Sequence, residues 1–110
     1  MATGRLGTAN ITTTSDTTVY GPVAAATFAV VTVNVVNRSS SASAQIKIAV
    51  ANSATPGLDE YIEFNSALVA NGVLERTGIV MKTGELIVVS TPTATPALSV
   101  VVYGIETSTA

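Results

Sequence analysis

Between Phe28 and Asn37 the chain reads FAVVTVNVVN, a stretch crowded with β-branched side chains. Val, Ile and Thr are stiff at χ1, which disfavours the helix and suits a pleated sheet. Val31, Val33 and Val35 share one face of such a strand, and Val30, Thr32, Asn34 and Val36 share the other. Both faces are partly apolar, which expects the strand inside a sheet rather than at its rim. Val, Thr, Ala, Ser and Ile dominate the whole sequence, and no segment carries apolar residues at helical spacing.

The same reading extends along the chain. Strands are expected at Arg5–Ile11, Thr17–Tyr20, Phe28–Asn37, Ala44–Ala51, Tyr61–Phe64, Val73–Val80, Glu85–Ser90 and Leu98–Glu106. Turn chemistry separates them. Gly21-Pro22, the polar run Arg38–Ser43, the loop Asn52–Asp59 with its Pro-Gly, Asn71-Gly72, Lys82-Thr83-Gly84 and Thr91–Pro96 are the punctuation. In Ala44–Ala51, Ile46, Ile48 and Val50 point one way and Gln45, Lys47 and Ala49 the other, giving one buried and one wet face. This strand is expected to form a hairpin with Phe28–Asn37. The expected core includes Val31, Val33, Ile46, Ile48, Val50, Leu74, Val88, Val100 and Val102. About eight strands at this spacing predict an antiparallel β-sandwich or a jelly-roll-like small barrel. Its 110 residues allow one such domain, with 1–18 a candidate extended arm and Thr107–Ala110 a frayed tail.

Composition removes most chemistry. The chain has no Cys, His or Trp. The usual general base at neutral pH and the commonest metal ligand are missing, and no Ser has a His to activate it. No catalytic, cofactor-binding or metal-ligating residue is therefore expected, and the protein is read as a non-enzyme. The densest charge group is Asp59, Glu60 and Glu63; carboxylates around a loop are Ca²⁺ ligands elsewhere, but the Asp-x-Asp-x-Asp-Gly spacing is absent, and a solvated rim is the expectation. Glu75 and Arg76 face opposite sides of their strand, so one is expected to turn inward and pair near a strand end. The five aromatic residues Tyr20, Phe28, Tyr61, Phe64 and Tyr103 are read as core or strand-edge packing. Asn10-Ile11-Thr12 and Asn37-Arg38-Ser39 match the glycosylation pattern but carry no weight, since Met1–Thr14 holds no apolar signal core. Val23–Val36, the longest apolar run, is too short and too polar for a membrane span. A net charge of −2 offers nucleic acid no electrostatic partner.

What remains points to assembly. Charged residues make up 11% of the chain against about 25% in ordinary soluble domains. Sheet edges are commonly guarded by Lys, and the only lysines are Lys47 and Lys82. An uncharged, edge-rich surface is expected to be covered by protein, in a homo-oligomer above all.

Several segments carry a likeness. They are the opening Arg5-Leu6-Gly7-Thr8-Ala9-Asn10, Glu-Tyr-Ile-Glu at Glu60–Glu63, Asn-Gly-Val-Leu-Glu-Arg-Thr-Gly at Asn71–Gly78, Gly84-Glu85 before an apolar strand, and Tyr-Gly-Ile-Glu at Tyr103–Glu106. In these the chain resembles a group of small structural proteins of tailed bacteriophages. The resemblance implies a β-sandwich virion protein of the capsid decoration (cement) type. Such a protein forms a homotrimer on the capsid exterior and binds the major capsid protein. The alternative it leaves open is a fibre, neck or tail-associated domain serving attachment or receptor and carbohydrate binding. A small enzyme of cupin-like shape is disfavoured, because a cupin metal site needs His ligands.

Overall fold

The strands that the β-branched runs form pair in a rolled pattern. A computed structural model describes residues 2–109. It contains β1 (Thr3–Ile11), β2 (Thr17–Tyr20), β3 (Thr27–Asn37), β4 (Ala44–Ala51), β5 (Tyr61–Leu68), β6 (Val73–Met81), β7 (Leu86–Ser90) and β8 (Leu98–Ser108). No helix occurs among the described residues. Two antiparallel four-stranded sheets run in the orders β1-β8-β3-β6 and β2-β7-β4-β5. β1 pairs with β8, β2 with β7, β3 with β6 and β4 with β5. A long antiparallel ribbon, folded back at the loop 52–60 and rolled up, gives this order, which is the jelly-roll solution to the sandwich.

β3 lies inside its sheet, as its two apolar faces require. Val31, Val33 and Val35 are almost fully buried and meet Ile46, Ile48, Ile87, Val89, Val100 and Val102 between the sheets. Val50 and Leu74 pack half-buried against this core. Val88 is also buried, but on the other side of its sheet. There it joins Ala49 and Ala51 beneath Tyr61 and Leu86. The face of β4 expected to be wet is thus dry at its C-terminal end, where Tyr61 and Leu86 pack over the small alanines.

Two expectations change. β3 and β4 do not form a hairpin: they belong to different sheets, and the loop between them crosses the sandwich. Alternation assigns faces, not partners, and both flanks of β3 are occupied by β8 and β6. The buried Asn37 secures this crossing. Its Nδ2 donates to the carbonyls of Ala42, Leu68 and Val69, and its Oδ1 accepts from the Ser39 amide. The segment 1–18 is likewise no free arm. β1 pairs with β8 from Thr3↔Ile105 to Ile11↔Leu98 while Leu6, Ala9 and Ile11 pack on the core, and Thr17–Thr18 belong to β2. Met1 lies outside the described residues. The chain end differs too: Thr107 and Ser108 remain in β8, and Ala110 lies outside the described residues.

The four interior strands pair with one another without a register shift. Every shift falls where an edge strand meets its inner neighbour, near Leu6 in β1, Val19 in β2, Ile62 and Asn65 in β5, and Thr77-Gly78 in β6. Gly78 sits at φ 68 in a bulge that sets two residues against Thr32. Gly104, by contrast, is needed for closeness: a Cβ there would stand 2.1 Å from the Val30 carbonyl oxygen. Two substitutions separate these causes. Gly104→Ala forces β8 off β3 and is expected to cost about 2–3 kcal/mol, the upper range for overpacking. Gly78→Ala meets open space and is expected to cost about 1 kcal/mol for its left-handed backbone. Urea denaturation of both variants checks this, and equal losses would contradict the assignment.

Candidate docking surface

Directly paired residues of an antiparallel ladder point to the same side of the sheet. Three rows therefore cross β8, β3 and β6 on one face: Ser99–Val36–Val73, Val101–Asn34–Glu75 and Ile105–Val30–Val80, with Tyr103 beside Thr32. The alternate residues fill the core, so these rows form the outer face. β1 extends it with Thr3, Arg5, Thr8 and Asn10. Four large apolar side chains are open to solvent here: Val80 at 69%, Val73 at 58%, Ile105 at 48% and Tyr103 at 39%. Arg5 and Glu75 bring charge to these rows at opposite edges, and Arg38 Nη2 donates to Asn10 Oδ1 at 2.5 Å beside β1. The Tyr103 hydroxyl reaches from β8 across β3 and donates to Glu75 Oε2 at 2.8 Å. That bond, with a smaller contribution from desolvation, raises the Tyr103 phenol above its ordinary pKa.

Polar contacts close the two open sides of the sandwich. On one, Arg76 Nη1 of β6 donates to Glu63 Oε2 of β5 at 2.5 Å and to the Ile62 carbonyl at 3.3 Å. The Ser66 hydroxyl also donates to Glu63. Of the pair Glu75 and Arg76, then, Arg76 turns toward the seam, and it pairs within the strand beside the bulge rather than at a strand end. On the other side, the Tyr20 hydroxyl of β2 donates to Glu106 Oε2 of β8 at 2.5 Å, and Glu106 Oε1 accepts from the Ala2 amide. Burial first, and the Glu106 carboxylate second, push the Tyr20 phenol well above its ordinary range.

The acidic group is divided among tasks. Glu60 accepts the amides of Asn52 and Gly57 and shapes the loop 52–60, Glu63 serves the seam, and Asp59 is exposed. Among the described residues, no three His, Cys, Asp or Glu side chains are placed to hold a metal ion. Of the aromatic residues, only Tyr20 is buried. Tyr61 and Phe64 meet edge to face at 5.0 Å, and Lys47 Nζ lies 4.7 Å over the Phe64 ring. Two hollows remain. One of about 310 Å³ lies beside Leu6 and Tyr20. One of about 260 Å³ lies between the β3–β4 and β7–β8 loops, lined by Ser, Thr, Ala and Pro with the fully engaged Asn37. Neither gathers a nucleophile with a base.

Comparisons with protein-family models, with curated proteins and with solved structures found no match. The outer face of β1-β8-β3-β6 was foreshadowed by the partly apolar second face of Phe28–Asn37, where Val30 and Val36 lie. The seam pairs join strands of different sheets, and no spacing reveals them.

The Glu63 contact has a pH signature. Its bond from Ser66, and less strongly Arg76, hold the carboxyl below the ordinary value of 4.5 against opposing desolvation. A depressed folded pKa stabilises fully above the unfolded value, and the contribution fades as pH falls through the folded one. Glu63→Gln is expected to cost about 1 kcal/mol at neutral pH, a charged hydrogen bond discounted for the half-exposed Arg76. The variant and the native protein should converge in stability as the carboxyl protonates. Urea melts above and below pH 4.5 test this, and a constant gap would contradict it.

Proposed function

We propose that the protein is a non-catalytic structural component that works by docking, and that it decorates a phage head as a homo-oligomer over the major capsid protein. The observation that carries this reading is the outer face of β1-β8-β3-β6, with four exposed apolar side chains and few charges: Arg5 and the Arg38 that bonds Asn10 on the β1 side, and Glu75 on β6. An open apolar face of this kind desolvates readily against another protein surface and offers a small molecule no enclosure. The resemblance in Glu60–Glu63, Asn71–Gly78 and Tyr103–Glu106 supplies the phage setting. On a capsid shell the contacts of one oligomer act together at high effective concentration, so each of them can be small.

The Tyr61–Phe64 pair favours a second reading, a fibre or tail domain that stacks a sugar ring. Its rings stand at 76° to one another, and Lys47 covers one face of Phe64. These are poor conditions for a flat stacking platform.

Gel densitometry of purified virions separates the two. A decoration protein is expected within a small factor of the major capsid protein in copy number, and heads lacking it should rupture at lower temperature. A handful of copies, or co-purification with detached tails, would overturn the capsid reading in favour of the fibre.

A further inference from the structure

We infer that a second copy of this chain covers the outer face of β1-β8-β3-β6, related by a two-fold axis parallel to the strands. The inference rests on the reading of that face as a docking surface and names its occupant. The edges do not compete for this role. All four edge strands carry register shifts, and bulged edges are poor templates for adding a strand. Association therefore falls to a face.

Area comes first. Four strands about 4.8 Å apart and at least nine residues long at about 3.3 Å per residue project a face of about 600 Å², larger still as accessible surface. A standard protein interface takes about 800 Å² from each partner. The whole face is thus the size that a stable dimer needs.

Charge selects the axis. Arg5 lies on β1 at one edge, where Arg38 also bonds Asn10, and Glu75 lies on β6 at the other. A two-fold axis along the strands lays β1 of each copy against β6 of its mate. Arg5 stands in the row of Tyr103 and Thr32, and Glu75 in the adjacent row of Val101 and Asn34. Opposed residues are then offset by about 7 Å along the strand across sheets about 10 Å apart, within reach of two long side chains. Two symmetric ion pairs follow, flanking the apolar centre. The bond from Tyr103 to Glu75 holds the carboxylate toward the face beforehand. An axis across the strands would set β1 on β1 and β6 on β6, with like charges together, which costs affinity. Aligned packing of two such faces, with strands within about 30° of each other, is ordinary for β-sheets.

The test uses the purified full chain in light scattering at micromolar concentration. The expected mass is twice the 11.1 kDa of the chain. Arg5→Glu and Glu75→Arg should each weaken the dimer about tenfold or more, since each sets like charges against one another across the interface. The double exchange Arg5→Glu with Glu75→Arg should restore it. Circular dichroism and thermal melting verify that each variant is folded. A native mass of one or three chains overturns the inference, as does a folded double variant that stays dissociated. Should Glu75→Arg fail to fold, Arg5→Glu decides alone: a folded Arg5→Glu chain that dimerises as tightly as the native one overturns the pairing. The measurement contains no virions, so its failure leaves the copy-number result standing, and the reverse also holds.

Discussion

The ladder between β3 and β8 carries the rest of the molecule. It runs from Thr27↔Ser108 to Asn37↔Leu98 without a break in register. Valines from both strands point inward along it, and the second sheet closes over them with Ile46, Ile48, Ile87 and Val89. β1 and β6 hang on its two sides and tolerate bulges because their inner neighbours do not move. Gly104 shows how close the central contact is: the two backbones leave no room for a methyl group. The same unbroken register lines up the outer rows of β8 and β3, so an apolar outer face is the other side of a well-ordered core.

The low charge of the chain takes on a different meaning in this light. From composition, sparse lysine implied unguarded strand edges in need of cover. The edges are guarded by geometry instead, through bulges in all four edge strands and polar contacts across both open sides. What lacks protection is the face, where Val73, Val80, Tyr103 and Ile105 meet solvent. The surface open to a partner thus lies on the breadth of the sheet rather than at its rim.

Much of the fold was legible in the sequence because a period of two is local. The alternation in Phe28–Asn37 and Ala44–Ala51 marked the inward residues, and turn residues marked the strand limits. Partner choice is not local. Nothing between Asn37 and Ala44 tells whether the chain turns back beside β3 or crosses to the other sheet, and Asn37, which ties that crossing, looks like any strand-ending Asn. The Glu63–Arg76 and Tyr20–Glu106 contacts were hidden for the same reason. Tyr103, read as packing, instead spans the outer face to Glu75, a role set by which strand lies two places away.

The rolled pairing also governs when the protein comes into being. β1 has no partner until β8 exists, since Thr3 pairs with Ile105, and the central ladder needs residues up to Ser108. During synthesis the nascent chain therefore emerges without its spine, and no N-terminal portion owns a closed core. Folding waits for the last strand and then proceeds through distant pairings, which are slow to form. A ribosome that stops early releases a chain unable to complete either sheet. Interrupted chains therefore never present the outer face of β1-β8-β3-β6, since β8 supplies Tyr103 and Ile105 to it.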